Sequence, residues 1–462
     1  MRKMTFGKGK HLSRRHFVVG TAAAGGGLAL GLSVPFAGQA LAQNEPSEVN
    51  VWVAIKPDDT CVIRIARSEM GQGTLTGLAQ LVAEELECDW GKVTTEGITP
   101  GRNLAAKRAW GEMGTGGSRG IRISQDYVRR GGAAARIMLL QAAAEQWKVP
   151  VGELKVSKGV ITHETSKRKT SYGKVAAAAA KVTPPDPKSI TLKDPKSWAI
   201  AGKPLKRLDT ADKLNGSKVY AIDLKLPDML CAAIKDCPVF GGKVKSFDEA
   251  KVAGMPGVKK VMKVKDTAVA VVADTWWRAK KALEALPIEW DEGEGGKVSS
   301  ASIANELKEG LGAAETNGDR KNGDVKKAID EAAKKVEAVY ATPFLAHACM
   351  EVMNATVRVT ADKAECWVPS QNLEASLAAL SEASGVPLSK CEVYRHDLGG
   401  GFGRRGGTQD YVTQAVHIAK EFPGVPVKLI WSREEDQAHD FYRPISQCQL
   451  TAGLDDKGNL TG

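Results

Sequence analysis

The sequence predicts an α+β fold that is divided among several domains. Its 462 residues, 43% of them hydrophobic, are enough for two or three hydrophobic cores. Strand-like alternation and helix-like periodicity occur within the same stretches of chain. Two segments without either pattern, the proline-rich linker 182–200 and the polar connector 292–335, separate three such stretches. We therefore expect globular units at 48–181, 201–291 and 336–462.

The first unit begins with strand patterns and continues into two helices. Residues 49–55 have Val or Ile at every second position, a strand-like alternation. Apolar residues at helical spacing predict a helix over 75–86 and a longer one over 118–147, which Pro150 ends. This unit is therefore expected to combine a small sheet with two helices.

The second unit, 201–291, has the pattern of mixed strands with one helix. In the third unit, a strand-like run at 391–398 is followed by a helix-like run at 410–420. Residues 454–458 have the composition of a hairpin turn, after which a returning strand is needed. We expect the third unit to be incomplete within this sequence and to continue beyond Gly462.

Residues 1–42 have the layout of a twin-arginine export signal. The segment Ser13–Phe17 contains Arg14 and Arg15, a glycine- and alanine-rich apolar stretch follows, and Ala40–Ala42 provides an A-x-A cleavage site. The alternative is an uncleaved anchor, but the apolar stretch is short for a bilayer of about 30 Å. Proteins exported in this way are folded around their cofactors, so the signal predicts a periplasmic cofactor protein. No later segment is apolar for long enough to predict a membrane span.

The charge distribution argues against a nucleic-acid-binding protein. The formal net charge is +11, but residues 1–42 contribute six basic residues and no acidic one, which leaves +5 for the remainder. No Lys/Arg-rich run with interleaved aromatic residues remains there.

Cysteine and histidine spacing gives no protein-ligated metal site. The eight cysteines include no C-x-x-C pair, and the histidines no H-x-x-x-H pair. Iron–sulfur clusters are therefore expected on a separate polypeptide. Disulfides form in an oxidising compartment, but the spacing does not pair the cysteines, which are Cys61, Cys88, Cys231, Cys237, Cys349, Cys366, Cys391 and Cys448.

A glycine-rich loop at Gly399–Arg405 is the strongest candidate for binding an anionic or oxo-rich ligand. Consecutive glycines let backbone N–H groups approach a ligand closely, and Arg404 and Arg405 carry donors suited to phosphate. The spacing Gly401-x-Gly403-x-x-Gly406 also matches a dinucleotide fingerprint, but no clear βαβ unit surrounds it. A purely structural turn is the other alternative.

Three further loops are weak candidates singly and stronger together. Glu69–Thr74 and Gly114–Ser118 each deliver polar side chains at a predicted helix N-terminus, although Ser118 alone fits an ordinary N-cap. In Pro369–Asn372, Gln371 is placed to donate a hydrogen bond to an oxo group, and a surface amide is its alternative. Several such loops in one chain predict one large anionic ligand that is held from several sides.

Taken together, these motifs resemble those of the molybdopterin-binding subunits of the xanthine oxidase family. The resemblance is strongest to the exported branch that includes the beta subunits of isoquinoline 1-oxidoreductases and periplasmic aldehyde dehydrogenases. It runs through nearly the whole chain and is carried, beyond the leader and the four loops, by Ala83–Leu86 with Asp89-Trp90, Ala133–Arg136, Leu345–Glu351 and Ser432–Asp436.

The resemblance implies a molybdenum-hydroxylase large-subunit fold. Residues 48–181 would be part of the second molybdopterin-binding domain, 201–291 an a/b-hammerhead domain and 336–462 the first molybdopterin-binding domain. It implies molybdenum on a molybdopterin, in bacteria often the cytosine dinucleotide, and oxidation of an aldehyde or N-heterocycle with water as the oxygen source. Electrons would pass to [2Fe–2S] clusters on a small partner subunit and, in the exported branch, often to a c-type cytochrome.

Carried over residue by residue, Gln371 resembles the glutamine that contacts the apical oxo group, and the glycine-rich loop resembles the segment beside the metal. The implied cofactor-binding residues are Gly71, Gln72, Gly73, Gly116, Gly117, Ser118, Gln371, Gly400, Gly401, Phe402, Gly403 and Arg404.

Three positions depart from the family pattern. Purine-oxidising members have Glu four residues after the Phe of the glycine-rich loop, where this chain has Gly406, which argues against a purine substrate. Where the family usually has the sequence Met-Glu-Pro, this chain has Met350-Glu351-Val352, so valine replaces the proline. The family's catalytic base, a Glu in a Gly-x-Gly-Glu segment, has no counterpart before Gly462, and the run 292–296 resembles a solvated loop. We therefore assign no catalytic residue here and expect the base beyond Gly462, with a split subunit or an inactive fragment as alternatives.

Overall fold

Within the described residues, 46–315, 317–318 and 320–462, the computed structural model contains twelve α-helices and eighteen β-strands. The predicted export signal lies outside the described residues. The helices α1 to α12 are, in chain order, Thr74–Leu86, Pro100–Ala105, Arg119–Arg122, Gln125–Trp147, Tyr172–Ala179, Thr210–Leu214, Trp276–Ala285, Ser300–Gly310, Val325–Asp330, Leu373–Ser384, Asp410–Ala419 and Arg433–Ala438. The strands β1 to β18 are, in chain order, Ser47–Glu48, Val53–Ile55, Cys61–Ile65, Val93–Gly97, Leu154–Ser157, Val160–His163, Arg168–Ser171, Leu230–Asp236, Lys243–Phe247, Val258–Val264, Ala268–Ala273, Ile288–Asp291, Lys334–Thr342, Asn354–Val359, Ala364–Val368, Cys391–Arg395, Val427–Ile430 and Ser446–Leu454.

The largest sheet has seven strands in the order β10-β11-β8-β17-β14-β15-β16. It joins the second and third predicted units, because β8 pairs in parallel with β17. The Lys428 ammonium of β17 reinforces this junction by donating hydrogen bonds to the carbonyls of Ile222 and Leu224 at 2.6 and 2.7 Å. The connector 292–335 thus separates these units in sequence but not in the sheet.

In the first unit, two helices pack against a four-stranded sheet of order β1-β2-β3-β4. Helices α1 and α4 approach closely because Gly132 has no side chain, and a Cβ there would lie 2.4 Å from the Val82 carbonyl oxygen. A second sheet, β5-β6-β7, follows. Helix α1 confirms the predicted helix over 75–86.

Two elements of this unit differ from the sequence prediction. The predicted strand 49–55 is strand only from Val53, because the Asn50 side chain accepts the N–H groups of Trp52 and Val53 and forms a turn. The predicted helix 118–147 is divided into α3 and α4. At the break, the buried hydroxyl of Ser124 accepts hydrogen bonds from Arg67 and Tyr127.

The third unit contains the predicted helix 410–420 as α11. The predicted hairpin turn is present, with Gly458 donating to the Asp455 carbonyl at 3.0 Å and Leu460 bridging back to Leu454. Strand β18 pairs along nine residues with β13. The connector is not wholly irregular, since it contains α8 and α9. Among the described helices, none has the length and apolar character needed to cross a bilayer.

The imidazole of His439 pairs with Glu435 at the end of α12 and links this end to the chain that follows β8. The two side chains are 3.1 Å apart, and the other ring nitrogen of His439 donates to the Cys237 carbonyl at 2.8 Å. Burial alone would lower the pKa of His439, but the bond to Glu435, its charge and that of Asp236 raise the pKa to about 9.

We expect this ion pair to make stability depend on pH. The unfolded-state pKa of histidine is about 6.5, so the stabilisation is complete below that pH and is lost as the pH rises through about 9. The free energy of unfolding should fall by about 3 kcal/mol over this interval, because one pKa unit corresponds to about 1.4 kcal/mol. Urea unfolding at a series of pH values checks this, and His439→Gln should flatten the dependence. An unchanged slope in this variant would refute the assignment.

Candidate functional site

Four of the predicted loops meet around the side chain of Gln371. The Ser68 hydroxyl donates to the Ser370 carbonyl at 2.8 Å, and the Ser68 N–H donates to the Thr115 hydroxyl at 2.9 Å. The Thr115 N–H donates to the Gln371 carbonyl at 2.7 Å, and Gln371 Nε2 donates to the Thr115 carbonyl at 2.8 Å. The Gly403 N–H donates to Gln371 Oε1 at 3.0 Å. Direct hydrogen bonds therefore link the loops that the sequence predicts to share one ligand.

Gln371 is buried, with 3% of its surface exposed, so the alternative of a surface amide is wrong. It lies between β15 and α10, where Asn372 caps the helix by accepting the Ala375 N–H. A carboxamide has two N–H donors, and Thr115 takes one of them. No described residue accepts a hydrogen bond from the other. The side chain is thus fixed in place while keeping one donor for a ligand.

The glycine-rich loop packs directly against Gln371. A Cβ at Gly401 would lie 2.5 Å from Gln371 Oε1 and 3.0 Å from Met70 Sδ, so a larger residue would displace the Gln371 amide or the loop. Gly400 and Gly403 have φ values of +107° and +111°, which other residues rarely adopt. Phe402, at φ +53°, exposes 73% of its surface.

The dinucleotide interpretation of this loop does not agree with its surroundings. Strand β16 ends at Arg395 and α11 begins at Asp410, so the spacing Gly401-x-Gly403-x-x-Gly406 does not connect a strand directly to a helix.

Both arginines of the loop have protein partners, contrary to the expectation that their side chains serve a phosphate. Arg404 is buried between Asp410 and Asp440, at 2.8 and 2.9 Å. Arg405 is fully buried and donates to backbone carbonyls, including those of Gly400 and Pro369 at 3.1 and 3.3 Å. Their guanidinium groups hold the loop in shape, because buried charges require such partners.

The loop before α1 is organised by the buried carboxylate of Glu69. It accepts hydrogen bonds from the N–H groups of Gly71, Gly73 and Leu75 at 2.8, 3.1 and 3.0 Å. The first donors of the helix are therefore occupied by the protein itself. Glu69 is therefore the residue that shapes this loop.

Arg207 is a site residue that the sequence analysis missed. It donates to the Gly71 carbonyl at 2.7 Å and to Glu69 Oε1 at 3.1 Å. Asp209 orients it from 2.8 Å, and the hydrogen bond from Arg207 lowers the pKa of that carboxyl although burial opposes this. Arg207 comes from the start of the second unit and carries no local motif, so only the tertiary structure identifies it.

The other predicted cofactor-binding residues of the two loops before α1 and α3 differ in whether their polar groups already have partners within the protein. The Gln72 side-chain amide makes its hydrogen bonds within its own loop. Its oxygen accepts from the Met70 N–H at 2.8 Å, and its nitrogen donates to the Ser68 carbonyl at 2.9 Å. Ser118 is exposed at φ +54° and occupies the N-cap position of α3, but its side chain makes no capping hydrogen bond. Gly117, before it, also has a positive φ of +58°. A Cβ at Gly116 would meet no atom within 4 Å, which leaves open space beside the backbone.

The comparisons with known proteins identify the family. A family described as "Molybdopterin cofactor-binding domain" matches residues 310–462, and a second family of the same description matches residues 13–220. The chain belongs to the molybdopterin-binding proteins of the xanthine oxidase family. The α+β architecture agrees with this membership.

The family relatives include three curated bacterial proteins. The chain is 29% identical to the beta subunit of isoquinoline 1-oxidoreductase from Brevundimonas diminuta, over 96% of this chain and 62% of the relative. It is 29% identical to a membrane-bound aldehyde dehydrogenase of Gluconacetobacter polyoxogenes (97% and 59% covered) and 25% identical to one of the subunits of a nicotinate dehydrogenase from Pseudomonas putida (89% and 34% covered). The chain therefore spans about three fifths, or less, of the length of these relatives.

Within this family member, the Met350-Glu351-Val352 segment supports the glycine-rich loop. Glu351 is buried and accepts the N–H groups of Gly399 and Ile222 at 2.9 and 3.1 Å. The polar run 292–296 is exposed to solvent as predicted, with 88% of the Glu294 side chain exposed, but it lies mostly in a short 3-10 helix rather than a loop. Glu351 is occupied by backbone N–H groups and Glu294 lies in solvent, so neither carboxylate is positioned to act as a catalytic base beside Gln371.

A cavity of about 730 Å³ lies beside this site rather than within it. Its walls include Asp410, Trp431 and His439, and none of the twelve predicted cofactor-binding residues lines it. The face formed by the four loops is instead open, as the exposure of Phe402 and of Met350 (88%) shows.

Proposed function

We propose that this chain is the molybdopterin-binding subunit of a periplasmic molybdenum hydroxylase that oxidises an aldehyde or an N-heterocyclic aromatic compound. The convergence of four loops on Gln371 in a member of this family carries the proposal. The names of the relatives support the substrate class, because they include an aldehyde dehydrogenase and two oxidoreductases of N-heterocycles.

The residues at the loop face fit a large pterin with a molybdenum–oxo centre. Gly71 and Gly116 leave open space where a side chain would stand, so their backbone is accessible to a ligand. Gln371 retains one N–H donor. The cytosine dinucleotide form of the cofactor is part of this proposal.

The bound cofactor would supply the two-electron redox centre. The chain's own residues position it: Gln371 donates a hydrogen bond from a fixed carboxamide, Gly401 keeps the loop close to that amide, and Glu69 maintains the neighbouring loop. The reaction would add an oxygen atom from water to the substrate and release two electrons and two protons. A small [2Fe–2S] subunit, and then a c-type cytochrome, would accept the electrons.

The activity is tested with the full chain coproduced with a [2Fe–2S] partner in a host that makes the cofactor. Aldehydes, N-heterocycles and purines are supplied in ¹⁸O-labelled water with an artificial electron acceptor. We expect ¹⁸O in the product of an aldehyde or N-heterocycle and none from purines. The proposed activity would be contradicted if molybdenum-loaded protein oxidised neither aldehydes nor N-heterocycles.

The same experiment separates two alternatives. A cofactor-binding half of a split subunit would hold molybdenum but become active only with a second polypeptide that bears this segment. An inactive fragment would hold no cofactor under any of these conditions.

The periplasmic location is tested separately by cell fractionation. We expect the protein in the periplasm of ordinary cells and in the cytoplasm of cells without the twin-arginine translocase. Equal distribution in both strains would contradict the proposed export route.

A further inference from the structure

We propose that Cys61 and Cys88 form a disulfide bond when the protein meets an oxidising thiol–disulfide environment. Cys61 is the first residue of β3, and Cys88 follows the C-terminal end of α1. The two side chains line the same small cavity, and the neighbouring Cys61 thiol raises the pKa of Cys88. They lie 27 positions apart in the sequence, so no spacing motif indicates the pair.

The surroundings of the two thiols favour a bond between them. Both are buried, at 1% and 3% exposure. They share the wall of a cavity of about 240 Å³, together with Gly159 and Tyr172. This cavity gives the sulfur atoms room to adjust to the geometry that a disulfide requires.

The close pair in the sequence, Cys231 and Cys237, is a poor alternative. Cys231 lies within β8 and Cys237 directly follows it. Six residues of extended strand span about 20 Å, whereas a disulfide requires Cα atoms within about 7 Å.

The bond forms by two thiol–disulfide exchanges with a disulfide oxidant such as oxidised glutathione. One cysteine thiolate attacks the oxidant and releases its first thiol, and the second thiolate then attacks the mixed disulfide and releases the other. The two cysteines lose two protons and two electrons, which reduce the oxidant to two thiols. The neighbouring Cys61 thiol, and then burial, raise the pKa of Cys88, so exchange in the closed protein is slow and local opening accelerates it.

The disulfide would fasten the start of β3 to the end of α1. The opposite end of α1 adjoins the loop that Glu69 shapes. The cross-link would therefore restrict separation of this helix from its sheet, and it would stabilise the folded chain most when the chain is partly opened.

The test uses the full chain, purified in reductant and then unfolded and refolded in a glutathione redox buffer. Free thiols are alkylated, and the digested protein is examined by mass spectrometry. We expect a linked peptide pair containing Cys61 and Cys88, about 2 Da lighter than the separate peptides. The oxidised chain should also unfold at a temperature roughly 5 °C higher than the reduced chain.

Variants assign the thermal shift to this bond. Cys61→Ala and Cys88→Ala should each abolish the shift between oxidised and reduced protein, whereas Cys448→Ala, at an exposed cysteine, should retain it. The peptide mapping uses the unchanged sequence, so it does not depend on the folding of any variant. Refolded protein in which both cysteines are alkylated, or in which either is linked elsewhere, would overturn the proposal.

Discussion

Replacing Gly401 by alanine is expected to lower the cofactor content of the purified protein by about tenfold or more. The new Cβ would lie 2.5 Å from Gln371 Oε1, so the loop or the amide must move. Overpacking of this kind costs about 1–3 kcal/mol, and each 1.4 kcal/mol is a tenfold change in binding. Molybdenum analysis and pterin fluorescence measure the content.

Gly407→Ala is the matched control for this substitution. Gly407 lies six residues further along, and a Cβ there meets no atom within 4 Å. Neither glycine has a positive φ, so the two variants differ in packing and not in backbone strain. Equal cofactor content in both variants would show that close contact between Gly401 and Gln371 is not needed for binding.

Replacing Glu69 by alanine is expected to destabilise the folded protein by about 3–5 kcal/mol, because it removes a buried, paired carboxylate. The N–H groups of Gly71, Gly73 and Leu75 would lose their acceptor, and Arg207 would lose one of its two carboxylates. Urea unfolding measures the change in the free energy of unfolding.

Two further variants distinguish the role of Glu69 from a general effect of removing charge. Glu69→Gln keeps one side-chain oxygen acceptor and should recover part of the lost stability. Glu294→Ala removes an exposed carboxylate paired only with Lys297 and should leave stability unchanged. A Glu69→Ala protein as stable as the original would contradict the proposed anchoring of the loop.

The sequence predicted what depends on local pattern. Helices α1 and α11 lie where apolar periodicity places them. The four loops were recognisable because glycines at strained or crowded positions, such as Gly400 and Gly401, have few substitutes.

Long-range contacts could not be predicted in the same way. The donation from Arg207 to Glu69 joins residues 138 positions apart, and the pairing of β8 with β17 joins two units with a connector between them. Arg404 resembled a phosphate ligand because its acidic partner Asp440 is distant in sequence. A local pattern shows which groups are present, but only the fold shows which of them already have partners.

The central claim, that the loop face around Gln371 holds a molybdenum pterin, is tested most directly by analysing the full chain from a host that makes the cofactor. We expect stoichiometric molybdenum and pterin in the original protein, and loss of both in Gly401→Ala but not in Gly407→Ala. Folded protein that contains neither molybdenum nor pterin, when coproduced with its [2Fe–2S] partner, would contradict it.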